Sequence, residues 1–170
     1  MSNRNHRGGI LLNTSAQKYG EKFRDHYFEQ YKLYLEMTDR VSARRVLANA
    51  FFLTLHTSLI ALLGVLYKEG LKEPRFWMLI PLIGIELLCY SWWAIVRSYR
   101  MLNKGRFKVI HKMEINLPCS PYKIEWDVLG RGKDPKRYRP ITHVENWIPI
   151  LFGLMYFILG CVLIYNLVKF

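Results

Sequence analysis

The sequence predicts an all-α integral membrane protein, with three transmembrane helices, long cytoplasmic helical extensions and assembly into a homo-oligomer. Three observations carry this reading. Residues 46–67, 76–96 and 146–168 are apolar runs of 22, 21 and 23 residues that hold a single Asp, Glu, Lys or Arg between them, Glu86. About 20 apolar residues at 1.5 Å each cross a bilayer core about 30 Å thick. The segments between the runs carry helix start and stop signals with no competing strand pattern. The first run also bears a strip of small residues of the kind that brings membrane helices together. The near-zero mean hydropathy, +0.01, is therefore a sum of segments extreme in opposite directions.

Taken in order, residues 1–14 are a polar, flexible start, and MSNRNHRGG gives no expectation of a cleavable signal peptide. Residues 15–45 predict a cytoplasmic helix. Thr14-Ser15-Ala16-Gln17 reads as a capping box. Phe23, Tyr27, Tyr31, Tyr34, Thr38 and Val41 then recur at steps of three and four, an aromatic stripe on an amphipathic helix. Internal packing against the other cytoplasmic helix is its first explanation, and subunit contact its second. No proline interrupts residues 15–73, so this helix is expected to run into the first span, 46–67, as one rod. In that span Ala50, Thr54, Thr57, Ala61 and Gly64 form the small-residue strip. Its partner helix is left open, within the chain or in a second subunit.

Residues 68–75 (KEGLKEPR) make a short external loop to the second span, 76–96. Residues 97–145 predict a basic, helical cytoplasmic segment. The second span continues as a helix through Glu114, with Met101, Phe107, Ile110 and Met113 on its apolar side, until Leu117-Pro118-Cys119-Ser120-Pro121 ends it. Ser120 and Pro121 start a short helix, PYKIEWDVL, closed by Gly130. A basic loop follows, and Thr142-His143-Val144-Glu145 reads as a second capping box before the third span, 146–168. Gly153 and Gly160 there are a weaker small-residue signal.

Charge sets the expected topology. The net charge is +12, and residues 1–45 and 97–145 hold nine and twelve Lys or Arg, against three in the 68–75 loop. Basic residues beside spans favour the cytoplasmic side. The N-terminus is thus expected inside and the C-terminus outside. The cluster Arg131, Lys133, Lys136, Arg137 and Arg139 reads first as a positive-inside loop, then as contacts for anionic lipid head groups, and only third as a nucleotide site. No nucleic-acid partner is expected. Cys89, Cys119 and Cys161 have no paired spacing, so neither a disulfide framework nor a zinc site is expected.

A carboxyl group at mid-membrane must face a partner or water. Counted from the ends of an antiparallel hairpin, His56 and Glu86 differ in depth by about one residue, roughly 1.5 Å. A direct His56–Glu86 pair is expected to hold the hairpin, with ion or proton passage and a subunit-interface hydrogen bond as alternatives. The sequence contains no paired acidic motif, G-x-S-x-G, phosphate loop or metal-spaced histidines. No catalytic residue, metal or cofactor is therefore expected.

EQYKLYLEMTDRVSARRVLANAFFLTLHTSLIALLG, SWWAIVRSYRMLNKGRFKVIHKMEINLPCSPYKIEWDVLG and YRPITHVENWIPILFG resemble the RipA family of octameric bacterial membrane proteins, from about residue 27 to the end. In organisation the chain is also similar to SLATT-type membrane effectors of bacterial conflict systems, though it has a third span. The RipA resemblance implies a homo-octamer in the cytoplasmic membrane and no enzymatic reaction. Two functions follow: a non-enzymatic membrane scaffold or regulator, or a channel or pore-forming effector gated through its cytoplasmic helices. The topology is tested by reporter fusions. Alkaline phosphatase placed after Lys169 should be active and placed at Lys133 inactive; the reverse pattern would invert the orientation.

Overall fold

A computed structural model describes residues 11–68, 76–134, 136–138 and 141–169, with backbone alone at residues 67, 77 and 141–143. The elements are helices α1 (Ala16–Tyr19), α2 (Phe23–Lys68), α3 (Leu79–Glu114), α4 (Pro121–Val128) and α5 (Ile141–Lys169), with 3-10 turns at Phe76–Met78 and Gly130–Gly132. Among the described residues there is no strand. Helices α2, α3 and α5 are each long and apolar enough to cross a membrane. Arg139 and the greater part of the 68–75 loop lie outside the described residues.

The start of the chain differs from the expected single rod. Ser15, not Thr14, caps α1, its hydroxyl accepting from the Lys18 N–H at 3.3 Å. Gly20 then takes φ +96°, a conformation that side-chain-bearing residues avoid, and the helix restarts at Phe23. From there α2 is continuous for 46 residues. Pro81 does not interrupt α3 because it lies in the first helical turn, where its missing N–H has no acceptor to lose.

The chain divides into two compact units, Met1–Val41 with Leu102–Tyr138 and Ser42–Met101 with Arg139–Phe170. In the first, the polar unit, the aromatic stripe packs inward. Tyr27 and Tyr31 form a core with Ile110 and Met113, joined by Phe23, Tyr34 and Tyr122. Of the apolar residues expected on the α3 side, Ile110 and Met113 enter this core, whereas Met101 and Phe107 are exposed. Helix α4 ends at Val128, and Gly130, Arg131 and Gly132 all take positive φ, near +60°. Arg131 holds this conformation while its guanidinium pairs with Asp127 at 2.7 Å.

The second, spanning unit packs α2, α3 and α5 through two joined clusters. One is Phe52, Trp92 and Val96 with Ile148 and Phe152, and the other Ile85, Cys89 and Tyr156 with Leu59 and Leu82. Trp92 stacks on Phe52 with ring centroids 5.7 Å apart, and its indole N–H donates to Asn49 Oδ1 at 2.9 Å. Gly153 and Gly160 are close-approach positions against α3. A Cβ at Gly153 would lie 3.4 Å from Glu86 Oε2, and one at Gly160 only 2.8 Å from Leu82 Cδ2.

The α5 start also differs from expectation. The helix begins at Ile141, so Thr142 is inside it rather than capping it. Glu145 instead approaches Arg45 of α2, Oε2 to Nε 3.6 Å, with both side chains largely buried.

Removing the Trp92 side chain empties the centre of the spanning unit. Trp92→Ala should cost about 3–5 kcal/mol. In a thermal-unfolding scan in detergent its midpoint should fall well below that of the exposed-site control Leu47→Ala.

Candidate functional site

One polar group of the polar unit, with three bonds to its side chain, is one that sequence reasoning passed over. Glu114, the last residue of α3, is fully buried. Its carboxylate accepts from the Tyr122 N–H at 2.9 Å and the Lys123 N–H at 3.0 Å, two of the free donors in the first turn of α4. The Tyr31 hydroxyl of α2 donates to the same carboxylate at 3.2 Å. The Ser120 hydroxyl donates to the Glu114 carbonyl at 3.3 Å. Ser120, the N-cap by position, makes no side-chain cap bond itself. A carboxylate six residues earlier does that work and suits the positive end of the helix dipole. Burial, followed by the nearby Glu114 charge, pushes the Tyr31 phenol above its ordinary range. Beside it the Tyr27 hydroxyl donates to the Met113 carbonyl at 2.8 Å and accepts from Asn116 Nδ2 at 3.3 Å.

In the spanning unit His56 is fully buried. Its ring lies among three aromatic rings, Trp92, Phe152 and Tyr156, with centroids 5.5, 5.3 and 5.7 Å away. Cys89 Sγ lies 3.8 Å from Nε2 and 3.9 Å from Nδ1. The Tyr156 hydroxyl donates to the His56 backbone carbonyl at 3.3 Å. No hydrogen bond or ion pair joins His56 to Glu86 in this geometry. Depth counting placed the two within reach, but Cys89, three residues after Glu86, occupies the α3 face opposite the imidazole. Glu86 turns toward α5 instead. Its Oε1 atom is buried with no hydrogen-bond partner, in a groove of about 290 Å3 formed by α3 and α5.

Ala50, Thr54, Thr57, Ala61 and Gly64 are all exposed, so this strip meets no helix of its own chain. The Thr57 hydroxyl turns back to the Leu53 and Thr54 carbonyls at 2.9 and 3.0 Å. Arg131, Lys133, Lys136 and Arg137 are exposed, and Arg137 approaches Asp134 at 3.5 Å. Such surface pairs contribute little and leave the loop strongly basic. Among the described residues no three His, Cys, Asp or Glu side chains gather as a metal site needs.

The family model described as the octameric membrane protein family (8xMP) matches residues 28–165. The chain belongs to that family. Neither the curated proteins nor the solved structures yield a match. The octameric membrane protein match takes in Tyr31, His56, Glu86 and Glu114, the first two apolar runs whole and the third as far as residue 165. Glu114 left one signal in the sequence, as the only acid between Arg97 and Lys123, in a segment otherwise basic. Tyr31, its partner 83 positions away, stands out only as a member of the aromatic stripe, with nothing in the sequence to pair it with Glu114.

Glu114→Ala removes the acceptor of two backbone amides and one phenol, each unsatisfied group costing about 1–3 kcal/mol. Amide exchange at Tyr122 and Lys123 should accelerate at least tenfold in Glu114→Ala. Glu114→Gln, which keeps one acceptor oxygen, should fall between it and the parent. Equal exchange in all three chains would deny the carboxylate its capping role.

Proposed function

We propose that this chain is a RipA-like member of the octameric membrane protein family, acting as a non-enzymatic homo-octameric scaffold or regulator in the bacterial cytoplasmic membrane. The single observation that carries the scaffold reading is the Glu114 junction. It ties the extension of α2, the end of α3 and the start of α4 into one cross-braced polar unit. A rigid helical unit on a membrane oligomer suits the presentation of a fixed surface. With the N-terminus inside, as the basic residues suggest, that surface faces the cytoplasm, and the exposed Arg131, Lys133, Lys136 and Arg137 meet anionic head groups.

The channel alternative draws no support from His56, which its own bundle encloses completely and which therefore lines no lumen. Native mass spectrometry of the detergent-solubilised protein should give eight chains. The same particle in liposomes should pass no Na⁺, K⁺ or H⁺ at any pH between 5 and 8. Reproducible flux that Glu86→Gln abolishes would replace the scaffold with the channel.

A further inference from the structure

The spanning unit leaves two features without partners. One is the groove lined by Glu86, Tyr90, Trp93, Pro149, Ile150 and Gly153, all from α3 and α5. Glu86 Oε1 is buried there without a hydrogen bond. The other is the exposed small-residue strip of α2, beside which the exposed Ser58 hydroxyl makes no hydrogen bond among the described residues. At about 100° per residue the strip lies roughly 150° around α2 from its core positions Phe52, His56 and Leu59. The groove receives no residue from α2, so strip and groove lie on different sides of one bundle.

They also share a depth. Cys89 is level with His56, their side chains 3.8 Å apart. Glu86 is three residues, about 4.5 Å, further toward the Lys68 end of α2, level with Leu59. Ser58 is then within about 1.5 Å of Glu86 in depth, with Thr57 and Ala61 each within about 3 Å. A ring whose axis is the membrane normal keeps every residue at its depth and joins two different faces head to tail. Lipid tails offer a carboxyl group no donor, whereas a strip of Ala, Thr and Gly permits close approach, and its threonines with Ser58 beside them carry hydroxyls.

We propose that the α2 strip of one subunit seats in the α3–α5 groove of the next, bringing Ser58 and Thr57 against Glu86. This rests on the octameric reading and goes beyond it by assigning the two faces. Glu86 is thus a subunit-interface residue rather than the hairpin partner of His56.

Disulfide trapping tests it in a chain carrying Cys119→Ser and Cys161→Ala. Thr54 and Tyr90 differ in depth by about one residue across the assigned interface. Thr54→Cys combined with Tyr90→Cys should give, on oxidation, a ladder of cross-linked species reaching eight chains. Either substitution alone should give none. Glu86→Leu and Ala61→Trp should each reduce the octamer fraction at least fivefold in native mass spectra, and Glu86→Gln should retain it. If the parent itself is not octameric, the octameric reading fails. If it is octameric and the paired cysteines do not cross-link, or Thr54→Cys alone forms dimers as readily, the face assignment is wrong.

Discussion

A buried carboxylate is costly unless its acceptor capacity is filled. In the polar unit that requirement falls on Glu114, which closes α3 and takes its three donors from two other stretches of chain, a phenol of α2 and two backbone amides of α4. Without those donors the end of α3 has no reason to be dry. Without the carboxylate the first turn of α4 has free N–H groups beside an apolar core. The Tyr27, Tyr31, Ile110 and Met113 cluster supplies the burial, and the bonds to Glu114 set which residues meet. Apolar contact alone tolerates sliding of one helix along another, whereas three directed bonds to one group do not.

The spanning unit solves its polar problem differently. His56 is enclosed by aromatic rings and lies beside Cys89, and the Trp92 indole finds Asn49. Arg45 and Glu145 approach each other at 3.6 Å at the ends of their apolar stretches. Arg45 Nε and Glu145 Oε2 at least face each other, whereas Glu86 is the exception: its Oε1 is buried without a hydrogen bond, and no ion-pair partner stands beside it among the described residues. In a protein of an octameric family that exception is informative, since a group unsatisfied in the subunit is a candidate for satisfaction in the assembly. The same holds for the exposed strip, whose small side chains have little use against lipid.

Much of the architecture was legible from the chain. The three apolar runs and the turn at Leu117–Pro121 are properties of local sequence, and α3 and α4 lie on either side of that turn as read. The aromatic stripe announced a buried face by its period. Three things were not legible. The break at Gly20 depends on one residue adopting positive φ within an otherwise helical stretch. The Glu114 junction looks in sequence like an ordinary helix end before a proline turn, with Ser120 the natural cap, and its decisive partner is distant in the chain. The His56–Glu86 pairing failed because counting residues fixes depth but not azimuth. One hundred degrees per residue decides whether Glu86 or Cys89 faces the imidazole.

The central claim is that Glu114 and Tyr31 act as one unit, and a double-mutant cycle measures that coupling directly. Tyr31→Phe, Glu114→Gln and the double variant are compared by reversible unfolding in mixed micelles. Residues sharing a hydrogen bond should show an interaction energy of about 0.5–3 kcal/mol, with the double variant less destabilised than the sum of the singles. Additivity within about 0.3 kcal/mol would contradict the account.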